Sequence, residues 1–129
     1  MKAVALSLYA AATLLAGCGE LTHPVACTAD FRFGLHVTVA DSLTEAPPAS
    51  AVVVARSGTF VDSVGPTPST PVNGGGPALL RFYMAGERPG TYDLTVRSPG
   101  YQEWSRTGIQ VTGDECHVHT IALIARLQH

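Results

Sequence analysis

Lysine is almost missing from this chain: Lys2 is the only one, and every other strong base is an arginine. Charged residues make up 14% of the 129 residues and the formal net charge is −2. There is thus no clustered basic footprint of the kind nucleic acid requires. The marks of several enzyme classes are missing as well. No Gly-x-Ser-x-Gly elbow presents a nucleophile, and the carboxylates are scattered singly, without a pair suited to glycoside hydrolysis. The run Gly74-Gly75-Gly76 lies among prolines and not between a strand and a helix, so it does not read as a phosphate loop. Tryptophan occurs once, at Trp104, and cysteine three times. These absences favour a non-enzymatic chain with no cofactor.

The N-terminus has the three parts of a secretory signal: a positive charge at Lys2, an apolar run from Ala3 to Leu15, and small residues ahead of a cysteine. The run is too short for a stable transmembrane helix. Leu15-Ala16-Gly17-Cys18 resembles the lipobox of bacterial lipoproteins. That resemblance implies cleavage after residue 17 and lipidation of Cys18. Acyl chains add roughly 0.8 kcal/mol per buried CH₂, so several of them hold a protein firmly. Gly19 stands where enterobacterial lipoproteins kept at the inner membrane tend to carry aspartate. The expected location is therefore the cell envelope, at the outer membrane or periplasmic face and not in the cytoplasm.

Removing Cys18 from the count leaves Cys27 and Cys116, an even pair in an oxidising compartment. A bond between them closes a loop of roughly 90 residues, which the chain-entropy model values at about 4.5 kcal/mol.

Residues 18–29 read as a lipidated tether and lead-in, and residues 30–129 as one domain. Strict alternation begins at Asp30, with Phe31, Phe33, Leu35, Val37 and Val39 on one face and Arg32, His36 and Thr38 on the other. Period two of this length signals a half-buried strand. Further strands are expected at 50–56, 58–64, 78–85, 90–98, 104–111 and 119–127. Segment 64–78, with four prolines and four glycines, reads as an exposed, mobile loop with no regular element. The phase slip between Val118 and Ile121 predicts a bulge or strand start near His119. Seven short strands divided by Gly/Pro turns, with no amphipathic helix after residue 18, predict an all-β, seven-stranded antiparallel sandwich.

The runs VTVADSLTEAPPASAVVVA, ERPGTYDLTVRSPGYQEW and IQVTGDECHVHTIALIARL resemble the carboxypeptidase regulatory-like domain family over roughly residues 30–128. The resemblance implies a transthyretin-like (prealbumin-like) sandwich related in layout to Ig-like domains, and an accessory module of the bacterial envelope. Family members that process peptides use a separate catalytic domain, and the purine-pathway hydrolases of this fold end in Tyr-Arg-Gly-Ser. This chain ends Ala125-Arg126-Leu127-Gln128-His129, so no catalytic residue is carried over. Within the motif, Gly90 is expected to permit the chain reversal, Tyr92, Leu94 and Val96 to face the core, and Tyr101 to fold over its edge.

Two candidate sites remain. His117 and His119, at i and i+2 of an expected strand, would share a face and could chelate zinc or copper, with Asp114, Glu115 or His36 as a third ligand. Trp104 could stack a sugar ring, though a lone tryptophan more commonly packs an edge. The expected function is a membrane-anchored, non-catalytic binding or scaffold module. A metal-binding protein or a carbohydrate-binding module is the alternative. An envelope protein or a glycan is the partner class left open.

Overall fold

The computed structural model describes residues 24–68, 70–72 and 76–129. The leader 1–17 and the lipidation candidate Cys18 lie outside the described residues, as does part of the tether. Eight strands run β1 (Phe33–Asp41), β2 (Ser50–Ser57), β3 (Phe60–Pro68), β4 (Thr70–Val72), β5 (Gly76–Gly86), β6 (Gly90–Arg97), β7 (Trp104–Val111) and β8 (Ile121–Leu127). They form two four-stranded sheets, ordered β4-β5-β1-β8 and β3-β2-β6-β7, packed face to face as an all-β sandwich. No helix among the described residues is long and apolar enough to cross a membrane.

Alternation explains which faces meet. Leu35, Val37 and Val39 of β1 and Leu80, Phe82 and Met84 of β5 point inward, as do Leu123, Ala125 and Leu127 of β8. They meet Val53, Ala55, Tyr92, Leu94, Val96, Ile109 and Val111 from the other sheet. The layers come close where β1 faces β7. A Cβ on Gly34 would sit 2.7 Å from a Val111 methyl and 3.1 Å from the Ala85 carbonyl oxygen, so only glycine fits there.

The segment 64–78 departs from expectation: much of it is strand. β3 extends to Pro68 and pairs with β2 through Ala51–Thr67 and Ser50–Pro68, and β4 pairs with β5. Pro66, Pro68 and Pro71 are tolerated because β3 and β4 are edge strands, and Pro77 because it lies at the start of β5, ahead of the Leu80–Gly86 stretch that pairs with β1. The three-residue β4 is therefore an eighth strand beyond the seven expected.

Two further corrections concern β1. It starts at Phe33, and neither of its expected first core residues is in the core: Phe31 is 65% exposed, and Phe33 is half-buried with its ring 5.7 Å from that of Tyr83 on the outer face. Arg32 is pinned to the β5–β6 turn, where its N–H donates to Glu87 Oε1 at 2.7 Å and its carbonyl accepts the Glu87 N–H at 2.8 Å. That turn also takes its reversal at Ala85 (φ 55°) and Glu87 (φ 46°) and not at Gly90. Asp62 on β3 accepts the Ala85 N–H at 2.9 Å and steadies that left-handed residue.

One pairing is not antiparallel. β8 runs parallel to β1, from Leu35–Ile121 to Asp41–Leu127. β7 lies in the opposite sheet, so the connection 112–120 crosses between layers at the end where β1 begins. β8 must then leave that end in the same direction as β1.

Candidate functional site

The crossing segment 112–120 is where the sequence candidates gather. Val118 makes an isolated bridge with Gly113, and β8 begins only at Ile121. His117 and His119 therefore flank a bridge in a loop and do not sit on the last strand. The loop's reversal comes from Asp114. Its Oδ1 accepts the N–H groups of Cys116 (2.8 Å) and His117 (2.9 Å), the Asx-type capping that aspartate favours in turns.

Cys116, at the loop's tip, is bonded to Cys27, with Cα atoms 5.2 Å apart. The disulfide lashes the lead-in across the end of the sandwich, and the Thr28 hydroxyl lies 3.0 Å from His117 Nε2. His117 Nδ1 faces Glu87 Oε1 at 2.9 Å, and the Val118 N–H donates to Glu87 Oε2 at 3.3 Å. Glu87 thus holds three segments at once: the lead-in at Arg32, its own turn and the crossing loop. With Nδ1 facing the carboxylate and Nε2 facing Thr28, both ring nitrogens of His117 are engaged.

His119 turns to different partners. Its Nε2 lies 3.2 Å from Asp114 Oδ2, and its Nδ1 lies 3.2 Å from the Thr112 hydroxyl. The two imidazoles are therefore each committed to a separate carboxylate, and His117 is only 11% exposed. Among the described residues no group of three or more His, Cys, Asp or Glu side chains could hold a metal ion. His36 stands apart on β1, edge-on to Tyr83 on the outer sheet face.

Two hollows flank the disulfide. One of about 290 Å³ lies between Asp30, Glu87, Pro89 and His117. The other, about 560 Å³, lies between Val25, Thr28, Arg32, Glu115 and His117. Both are shallow and floored by the clamp itself. Trp104 opens β7 opposite Val96 and is half-buried against the core.

A second polar knot closes the opposite end of β1. Asp41 is buried at the strand's C-terminus. Its Oδ1 accepts the N–H groups of Leu43 and Thr44 at 2.8 Å each. Its Oδ2 accepts the Tyr101 hydroxyl at 3.0 Å and faces His129 Nε2 at 2.8 Å. The expected turn of Tyr101 over the core edge thus ends on a carboxylate. The Asx turn in Asp41-Ser42-Leu43-Thr44 is legible in sequence, whereas the partners Tyr101 and His129 are not.

Hydrogen bonding sets the acidity of all three carboxylates. The Thr44 and Leu43 N–H groups, aided by Tyr101 and His129, hold Asp41 well below the usual range despite opposing desolvation. The His117 and Cys116 N–H groups, then His119, lower Asp114 from 3.8 to about 2. Partial burial raises Glu87, but the Arg32 N–H, His117 and the Val118 N–H more than reverse it. A depressed folded pKa gives stability that is complete above the unfolded value and is lost as pH falls through the folded one. The unfolded values here are 3.8 for aspartate and 4.5 for glutamate. The urea midpoint is therefore expected to fall as pH drops below about 4.5, with the Asp114 contribution spent near 2 and that of Asp41 persisting to lower pH. Asp41→Asn is expected to lower stability at neutral pH and to flatten that acid slope. An unchanged slope would remove Asp41 from the account.

Comparison with protein-family models, curated proteins and solved structures found no match to the chain.

Proposed function

We propose that this chain is an envelope lipoprotein anchored through Cys18, whose β-sandwich serves as a non-catalytic binding or scaffold module. The observation that carries the reading is the Cys27–Cys116 disulfide in a chain that opens with a signal-like run and Leu-Ala-Gly-Cys. Disulfides persist outside the reducing cytosol, and the leader supplies the route there. The resemblance to carboxypeptidase regulatory-like domains supports an accessory role. So does the use of the site's polar groups: Glu87, Asp114, His117 and Asp41 each bond neighbouring segments of the fold.

Intact-mass measurement of the protein purified from its membranes tests this directly. The expected species begins at Cys18 and carries a diacylglycerol adduct, and Cys18→Ser abolishes the adduct. An unmodified thiol at Cys18 in the mature protein would refute the anchor.

A further inference from the structure

The outer face of the β5–β1–β8 layer has a composition of its own. Its three strands contain a single carboxylate, Asp41, and that one is buried. The outward positions pair across the sheet as Tyr83–His36–Ala122 and Arg81–Thr38–Ile124. Of the large hydrophobic side chains left exposed, three lie on this face: Phe31 (65%), Ile124 (51%) and Tyr83 (46%). Phe31 packs edge-on against Phe33, with ring centroids 5.2 Å apart. It reaches the face because Gly86 has no side chain; a Cβ there would lie 2.3 Å from the Phe31 ring.

Two hollows run together along this surface, of about 340 Å³ and 190 Å³, and share His36 and Tyr83. Arg32 borders the first and Arg81 the second. Neither arginine forms an ion pair among the described residues, nor do Arg56, Arg88 and Arg106, whereas Arg97 pairs with Glu103 and Arg126 with Glu45. Exposed aromatics beside unpaired guanidinium groups match the layered chemistry of a lipid headgroup region. Amphipathic rings settle there, and cations meet phosphate.

The position of the tether agrees with that match. The lead-in is fastened at Cys27 to Cys116, which shares a hollow with Arg32. Cys18 is nine residues before Cys27, a span of at most about 30 Å when fully extended. A lipid on Cys18 keeps the domain within reach of the bilayer, close enough for a side to rest on it.

We propose that the outer face of the β5–β1–β8 sheet lies against an anionic lipid surface, with Phe31, Tyr83 and Ile124 at the interface and Arg32 and Arg81 on lipid phosphates. The proposal rests on the anchored reading above and adds an orientation to it. The domain lies on its side, turning the β3-β2-β6-β7 sheet and Trp104 away from the membrane. Each arginine near an anionic surface strengthens contact about fivefold, so the pair together contributes on the order of 25-fold.

Fluorescence quenching tests this on the full chain. The protein is reconstituted into vesicles of phosphatidylglycerol and phosphatidylethanolamine, or of phosphatidylcholine alone, with brominated acyl chains. Tyr83→Trp and, separately, Ile124→Trp are placed in a Trp104→Phe background. Both probes are expected to be quenched in the anionic vesicles and much less in phosphatidylcholine. Arg32→Ala with Arg81→Ala should lower the ratio of face-bound to face-free protein by about 25-fold, and the native Trp104 should stay unquenched. Quenching at both new positions no stronger than at Trp104, or equal in the two lipids, overturns the proposal. A face occupied by a soluble glycan or a protein would give that same negative result. Intact mass is measured on the same reconstituted protein, so a missing acyl anchor and a failed face contact are told apart.

Discussion

Replacing Cys27 and Cys116 together by serine is expected to lower unfolding free energy by about 2–5 kcal/mol. The bond joins residues 89 apart in sequence, and a loop of that length is worth about 4.5 kcal/mol in the chain-entropy model. Domains of this size are stable by roughly 5–15 kcal/mol, so the loss is a large share of the total. The structure indicates where it should be felt first. The lead-in that the disulfide holds across the crossing loop also carries the Thr28 contact to His117 and the Arg32 bond to Glu87. Amides around 113–118 should therefore exchange faster in the double mutant than those of β2 and β6. Urea denaturation of oxidised wild type, reduced wild type and the double serine variant measures the effect. Equal midpoints in all three would show that the noncovalent clamp alone suffices.

Tyr92→Ala is expected to cost about 3–5 kcal/mol, the range for deleting a large aromatic from a packed interior. Tyr92 heads the largest fully buried side chains. Its ring meets Phe60 edge-on at 6.3 Å between centroids, and Arg88 in turn caps Phe60, 4.2 Å above the ring. The hydroxyl donates to the Arg88 carbonyl at 2.9 Å, tying the β5–β6 turn to the core. Tyr92→Phe keeps the ring and loses only that bond, so a penalty of about 0.5–1.5 kcal/mol is expected. A Phe variant as damaged as Ala would place the importance of Tyr92 in its hydroxyl and not its volume.

What could be read ahead of the structure follows from periodicity. β6 and β8 alternate cleanly, because one face of each is buried and the other is wet, and the inward Tyr92, Leu94 and Val96 of β6 were legible one by one. β1 was legible in its facing only from Leu35 onward, since Phe33 packs against Tyr83 on the outer face. Its first residues continue the alternation, yet Glu87 captures Arg32 and leaves Phe31 outside. The proline-rich 64–78 segment misleads because proline is excluded from the middle of a central strand and not from an edge strand or a strand's beginning. Edge position is a property of the assembled sheet and is not written in the segment. The His117–His119 pair misleads in a similar way. Their spacing suggests a shared face, but each ring is claimed by a carboxylate, and Glu87 lies 30 residues away from His117. Alternation reports burial along one strand. It carries no information about which distant turn will supply a partner.

The parallel pairing of β1 with β8 has a consequence in time. The first strand of the domain has the last strand as its neighbour, so one side of β1 stays unpaired until residues 121–127 are available. Contacts between distant parts of a chain form slowly, because loop closure comes before any gain. A chain made or exported from its N-terminus therefore carries an open strand edge for nearly its whole length of emergence. The domain can close only when its final seven-residue strand arrives.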